Sequence, residues 1–183
     1  KNDVKVALSG DGGDELLCGY NRYVSSDNYS RNFNLIPTLL KNVLAYSAKS
    51  IDQDSWNKVF NLFPISNEIN NYGHKIHKGA NALTAKTFSD FYYILCSDWQ
   101  NPSEVVTNSK EPFNYLRNLE KKFLNINNQQ KMMIIDLLSY LPNDILVKVD
   151  RAAMNSSLET RVPLLDHKLI EYIWKIPHNF KFQ

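Results

Sequence analysis

The residues best equipped for chemistry lie in one short stretch, Ser9-Gly10-Asp11-Gly12-Gly13-Asp14-Glu15. Three glycines fall in four positions, interrupted only by Asp11, and two further carboxylates follow at once. Glycine lets a backbone reach φ > 0 and lets a ligand approach without a Cβ in the way. A bare phosphate at such a turn would want Lys, Ser or Thr, and the acids would repel it. A divalent cation reverses that, because Mg²⁺ takes oxygens from carboxylates and phosphates together. The stretch therefore reads as a nucleotide–Mg²⁺ site with Asp11 or Asp14 facing the metal. A plainer reading is equally available: Asp14 and Glu15 complement the positive end of a helix in its first turn. The pattern alone leaves both open.

Such a turn needs elements to hold it. Val4, Val6 and Leu8 alternate with Lys5 and Ala7, which predicts a short, buried strand. From Asp14 onward the pattern is helical, with a first helix expected over 14–24 and broken by Ser25-Ser26-Asp27-Asn28. Strand, glycine-rich turn and helix together place a ligand at the carboxyl end of a sheet strand, close to the helix's first N–H groups. A single parallel strand makes no sheet, so its partners are expected from outside this sequence. The chain starts without a methionine, a residue or two before that strand. The expectation is a piece of a longer protein.

A second dense stretch occupies 131–166. Met132 to Leu141 is apolar almost all round, which predicts a helix buried on most sides and stopped by Pro142-Asn143. Ile145, Leu146, Val149, Ala152 and Ala153 then share one helical face. Asp144, Lys148, Arg151 and Asn155 share another, with Asp144 and Lys148 in the favoured acid-first order. That second face is either a solvated surface with one ion pair or the wall of a charged pocket. Ser156-Ser157-Leu158-Glu159 fits a capping box. Glu159 and Arg161 form a pair beside Val162-Pro163, either a buried structural bridge or a ligand-orienting one, and Asp166 is placed to cap the last helix.

Elsewhere the signals are structural. The chain has 183 residues, 43% of them apolar, enough for one domain with a core. A net charge of +2 makes no electrostatic case for nucleic acid. No apolar run approaches a membrane span and no leader is visible, so the sequons at Asn28 and Asn155 carry no weight. Cys18 and Cys96 lack metal-type spacing, which fits a reduced, cytoplasmic setting. Between residues 25 and 125 the chain is mostly helical and discloses no purpose. Leu39, Leu40, Val43, Leu44 and Ser47 fall at helical spacing, as do Trp56, Val59, Phe60 and Phe63 before Pro64. Phe88, Phe91, Tyr92 and Leu95 make an aromatic stripe of the core type. Leu116, Leu119, Phe123 and Leu124 mark another amphipathic helix with Lys121 and Lys122 on its wet side, and Asp98 to Pro112 is the loosest segment. His74 and His77 lack a third ligand and read as surface.

Two of these stretches resemble a known family. Leu8-Ser9-Gly10-Asp11-Gly12-Gly13-Asp14-Glu15-Leu16, followed by Gly19-Tyr20, is similar to one signature of the glutamine-dependent asparagine synthetases. Leu141-Pro142-Asn143-Asp144-Ile145-Leu146-Val147-Lys148-Val149-Asp150-Arg151 resembles a later one. It continues through Met154, Ser157-Leu158-Glu159, Arg161-Val162-Pro163 and Leu165-Asp166-His167. The resemblance implies a mainly α fragment of an α/β domain. The fold would be adenine-nucleotide α-hydrolase-like, the Rossmann-like ATP pyrophosphatase group, with one or few short parallel strands and many helices.

It also implies a reaction with ATP and Mg²⁺. The aspartate side chain is adenylated, pyrophosphate leaves, and ammonia channelled from a glutaminase domain of the same parent chain attacks to give asparagine. By resemblance Ser9 and Gly10 contact ATP through the backbone, Asp11 serves adenylate formation, and Asp14 faces pyrophosphate and metal. Lys148, Asp150, Arg151, Glu159 and Arg161 support the pocket. The family's Ser-Gly-Gly-x-Asp-Ser loop does not occur and is expected upstream of Lys1, together with the glutaminase domain and its N-terminal cysteine. Cys18, expected within a helix, is not that residue. A catalytic lysine is expected beyond Gln183. Residues 1–183 would thus be a partial synthetase domain, inactive alone. Neither nucleic acid nor membrane is an expected partner. A homodimer is open to the protein, though no residue assigns an oligomeric state. Alternatives are an amidotransferase for a sugar acid or peptide, a β-lactam synthetase-like ring closure and, in another class, a non-catalytic helical scaffold.

Overall fold

The computed structural model describes residues 4–62, 71–97, 99, 105–109 and 125–181. The chain divides into two compact units, residues 1–27 with 123–183, and residues 28–122.

The first unit holds a short sheet. Strand β1 (Val6–Leu8) pairs in parallel with β2 (Glu159–Arg161), Val6 opposite Glu159 and Leu8 opposite Arg161. The register extends by backbone bonds from Glu159 N–H to the Lys5 carbonyl at 2.9 Å and from Ser9 N–H to the Arg161 carbonyl at 2.8 Å. A partner for the first strand therefore lies inside the sequence, where none was expected. Nor is β1 buried among the described residues: Val4, Val6 and Leu8 are exposed.

Helix α1 (Gly13–Leu17) is one short turn and α2 (Asn21–Asn34) begins after a break, so the single helix expected over 14–24 is two. Cys18 makes the break. It ends α1 in the left-handed region, φ 61°, rather than lying within a helix. The Ser25–Asn28 run does not interrupt α2. Later in the unit come α7 (Asn128–Leu138) and α8 (Leu146–Met154), joined by a π-helical turn over Leu141–Ile145. Pro142 thus does not stop the chain: it sits at the start of that turn, where its missing N–H is tolerated. The expected buried helix is present, with Met132, Met133, Ile135 and Leu141 buried and Leu138 exposed.

Ser156 and Ser157 cap nothing. Ser157 takes φ 53° and turns the chain from α8 into β2, so Glu159 is a strand residue. A 3₁₀ turn at Pro163–Leu165 leads to α9 (His167–Lys175), and Asp166 caps it as expected, accepting from the N–H groups of Lys168 and Leu169. Helix α1 packs on α7 and α9, with Leu16, Tyr23 and Ile173 buried in that core.

The second unit contains α3 (Thr38–Ser50), α4 (Gln53–Asn61), α5 (Tyr72–Leu83) and α6 (Phe88–Cys96). Helix α5 packs against the other three. Phe60 stacks on Tyr72 at 4.9 Å, and Trp56 Nε1 donates to the Ala48 carbonyl at 2.9 Å. The aromatic stripe is core: Phe91 and Tyr92 are buried, with Phe88 stacked beside Tyr92. The helical reading of α3 holds, yet Leu39, Leu40, Val43 and Leu44 are exposed among the described residues. His74 is exposed, and the ring of His77 bonds the Ile51 carbonyl at 2.8 Å. The readings at Phe63–Pro64, most of Asp98–Pro112, and Leu116 to Leu124 lie outside the described residues.

Candidate functional site

The two sequence stretches singled out for chemistry meet in the first unit. The parallel β1–β2 pairing places Ser9 beside Arg161. The turn that follows β1 rests on the 3₁₀ turn that follows β2. Gly12 takes φ 84°, and a Cβ there would fall 2.6 Å from Leu165 Cδ2 and 3.7 Å from Leu141 Cδ2. A Cβ on Gly13 would already touch Leu164 Cδ1 at 3.2 Å in this structure, so that contact is tight as well. Leu141, Leu164 and Leu165 form an apolar floor, and only glycine combines that floor with a left-handed backbone at position 12. Above the floor the turn is open: a Cβ on Gly10 would meet nothing within 4 Å.

The acids of the turn divide sharply. Glu15 is buried and accepts a hydrogen bond from Tyr20 Oη at 2.9 Å. Burial first, then that bond and the Glu15 and Asp14 charges, hold the Tyr20 hydroxyl well above its ordinary range, so it stays a donor. Asp11 is half-buried and accepts from Ser9 Oγ. Asp14 is exposed, with its carboxylate against Gly19. Neither Asp11 nor Asp14 pairs with a described Lys or Arg. Asp14 and Glu15 do occupy the first turn of α1, as the plainer reading held. That placement accounts for Glu15, which turns inward.

The later residues are placed differently. Glu159 and Arg161 pair across 2.7 Å on β2, next to Ser9, but the pair is exposed, neither buried nor structural in the expected sense. Lys148, exposed on α8, pairs at 3.3 Å with Asp144 of the preceding π turn, the expected i,i+4 bridge. Asp150 and Arg151 are exposed on the same helix, which packs on β2. The structure brings Ser9, Gly10 and Arg161 to the carboxyl end of the sheet, with Asp11 and Asp14 in the turn beyond it, whereas Glu159 opens β2 opposite Val6 and meets Arg161 through their ion pair. Lys148 engages Asp144, in the π turn that leads into its helix.

A brace behind the turn was not foreseen. Asp136, buried in α7, accepts from Arg22 Nη2 at 2.6 Å and from Tyr23 Oη at 2.8 Å. The Arg22 guanidinium lies 4.3 Å from the Tyr20 ring centre and 4.7 Å from that of Tyr140. Burial first, then Asp136, pushes the Tyr23 hydroxyl far up. The signal was available: Asp136 is the one acid inside an apolar run, and such an acid demands partners.

Among the described residues no group of three or more His, Cys, Asp or Glu is placed to hold a metal ion. Mg²⁺ that arrives with phosphates needs only one or two protein carboxylates. Asp11, beside the open Gly10, and Asp14 are hard oxygen donors with no basic partner among the described residues, and they fit that demand. No helix among the described residues is long and apolar enough to cross a membrane.

The fold and site therefore define a protein with a glycine-rich acidic turn at the end of a parallel strand. The asparagine synthase family model matches residues 1–183, and the chain belongs to that family. Its relatives include asparagine synthetase [glutamine-hydrolyzing] 1 of Bacillus subtilis, 28% identical over 99% of this chain and 26% of that protein. A putative asparagine synthetase [glutamine-hydrolyzing] of Mycobacterium bovis is 26% identical over 99% of this chain and 25% of its own length. A shorter match, to asparagine synthetase [glutamine-hydrolyzing] 3 of Bacillus subtilis, is 40% identical over 29% of this chain and 8% of that protein. The chain spans about a quarter of the length of the first two relatives. No solved structure matches it significantly.

Proposed function

We propose that this chain forms part of the synthetase centre of an ATP-dependent amidotransferase that makes asparagine. The aspartate side-chain carboxylate attacks the α-phosphorus of ATP, the α–β bridging bond breaks, and pyrophosphate leaves. Ammonia then attacks the β-aspartyl-adenylate and displaces AMP. One observation supports this above others. The turn's outward acids, Asp11 and Asp14, have no cationic partner among the described residues, while the inward acids around them are fully engaged. Asp14 would hold the Mg²⁺, which would supply charge neutralisation to the leaving pyrophosphate, and Asp11, fixed by Ser9 Oγ, serves the adenylation step.

Backbone bonding narrows how the nucleotide is held. Ser9 N–H is engaged by the Arg161 carbonyl, and the Gly10 carbonyl by Gly13 N–H. Of these two residues' backbone groups, the Ser9 carbonyl and Gly10 N–H have no backbone partner among the described residues and are left to ATP. Glu159 and Arg161 flank them, and Lys148, Asp150 and Arg151 brace the wall from α8. Ammonia comes from a glutaminase domain elsewhere in the parent protein, and residues 1–183 alone do not complete the reaction.

The test is aspartate-dependent pyrophosphate release by the full-length protein. Asp14→Ala is expected to lower it by about a hundredfold or more, the usual scale for losing charge stabilisation at a developing anion. Unchanged release by Asp14→Ala would sink the metal-facing role. Release driven by another acid but not by aspartate would move the protein to a related amidotransferase.

A further inference from the structure

We infer that Gly19 is a positioning residue for the Asp14 carboxylate. The inference rests on the proposed role of Asp14 and adds the element that aims it. The turn closes on itself behind the acid. Gly19 N–H donates to the Asp14 carbonyl at 2.9 Å, and Cys18 N–H donates to the same oxygen. These bonds press the backbone of residue 19 against residue 14. A Cβ on Gly19 would then lie 2.0 Å from Asp14 Oδ1 and 3.0 Å from its Cγ. The carboxylate occupies the volume that any other side chain at position 19 would fill.

The need for glycine here is one of space and not of backbone conformation. Gly12 is the described glycine in the left-handed region, whereas Gly19 is not. Alanine at 19 could keep the backbone and would displace only its neighbour. Asp14 has two side-chain torsions, and its escape is into another staggered well, roughly 120° away about χ1. A shift of that size takes the carboxylate off its present aim while leaving the residue charged. Asp11 is held by Ser9 and Glu15 by Tyr20, and the three atoms nearest the added Cβ all belong to Asp14.

The experiment is a double-mutant cycle on the full-length protein, with Mg²⁺–pyrophosphate binding read by calorimetry and thermal midpoints read in parallel. Gly19→Ala is expected to weaken binding about tenfold when Asp14 is present, and less than about twofold on an Asp14→Ala background, since contacting residues are non-additive. The thermal midpoint should follow the same pattern. With the carboxylate gone, the closest remaining atom is the Asp14 Cα at 3.1 Å, a tight but tolerable approach. Equal losses on both backgrounds, or wild-type binding by Gly19→Ala beside impaired Asp14→Ala, would overturn the inference and leave the role of Asp14 standing. Wild-type binding by Asp14→Ala overturns the role itself and the inference with it. If Gly19→Ala does not fold, recovery of folding in the double variant supports the coupling, and failure of both overturns it.

Discussion

Two sets of acids lie in the first unit, and they are provided for in opposite ways. Asp136 and Glu15 are buried, and their described partners are Arg22, Tyr23 and Tyr20. Asp11 and Asp14 lie on the outer side of the same turn, with Ser9 Oγ as the one described side-chain donor between them. A buried carboxylate without partners is costly, so the inner pair had to be met by donors or replaced. An exposed carboxylate carries no such demand. Its freedom from cations costs folding little and leaves its charge available. The inner acids hold the turn together, and the proposed function assigns the outer ones to the ligand.

That contrast can be broken by exchanging the consequences. Asp136→Ala should cost about 3 kcal/mol of stability. Loss of one member of a buried pair typically costs 3–5 kcal/mol, and the partial exposure of Arg22, 35% of its side chain, lowers the figure. Asp14→Ala should change stability by no more than about 0.5 kcal/mol while abolishing most activity. Urea unfolding of both variants reads the difference. A large stability loss at Asp14 would erase the distinction between the two sets.

Gly12→Ala should come next, at about 2 kcal/mol, from the left-handed backbone and the contact with Leu165. Its unfolding midpoint in urea should fall without a change in slope. A neutral result would mean that the apolar floor under the turn gives way easily.

Tyr23→Phe should cost about 1.5 kcal/mol, the scale of a hydrogen bond to a charged acceptor. It also has a pH signature. The folded protein keeps a proton on Tyr23 that the unfolded chain releases near pH 10, so the folded state binds more protons above that point. The stabilisation is complete below about pH 10 and is lost as pH rises beyond it. Unfolding free energies measured from pH 8 to 11 should fall less steeply in Tyr23→Phe than in the wild type.

The smallest effect is expected at the surface pair. Lys148→Ala should change stability by less than about 0.5 kcal/mol, because exposed i,i+4 bridges contribute little. If it also leaves the KM for ATP unchanged, Lys148 belongs to a solvated face and not to the wall of the pocket.

The local signals were legible where one residue type meets one physical need. The strand at Val6–Leu8, the glycine-rich turn, the apolar helix around Met132 and the Asp166 cap were all readable from spacing and composition. So was the Asp144–Lys148 bridge, since the partners lie four residues apart along continuous helical backbone. The misreadings fell where the backbone departs from its commonest path. Cys18 and Ser157 adopt left-handed conformations that few non-glycine residues visit, and each turned an expected helical segment into a turn. Pro142 entered a π turn in place of ending a helix.

By itself the sequence determined which residues are equipped for chemistry, because charge, flexibility and oxygen donors are properties of residue types. It could not decide which of three neighbouring acids faces inward, nor that β1 finds its partner more than 150 residues later, at Glu159–Arg161. Those outcomes depend on contacts between distant segments: Leu164 and Leu165 under the turn, Asp136 beneath Arg22, and Gly19 against Asp14. Burial is a property of what comes to lie opposite, and only the folded chain brings those partners together.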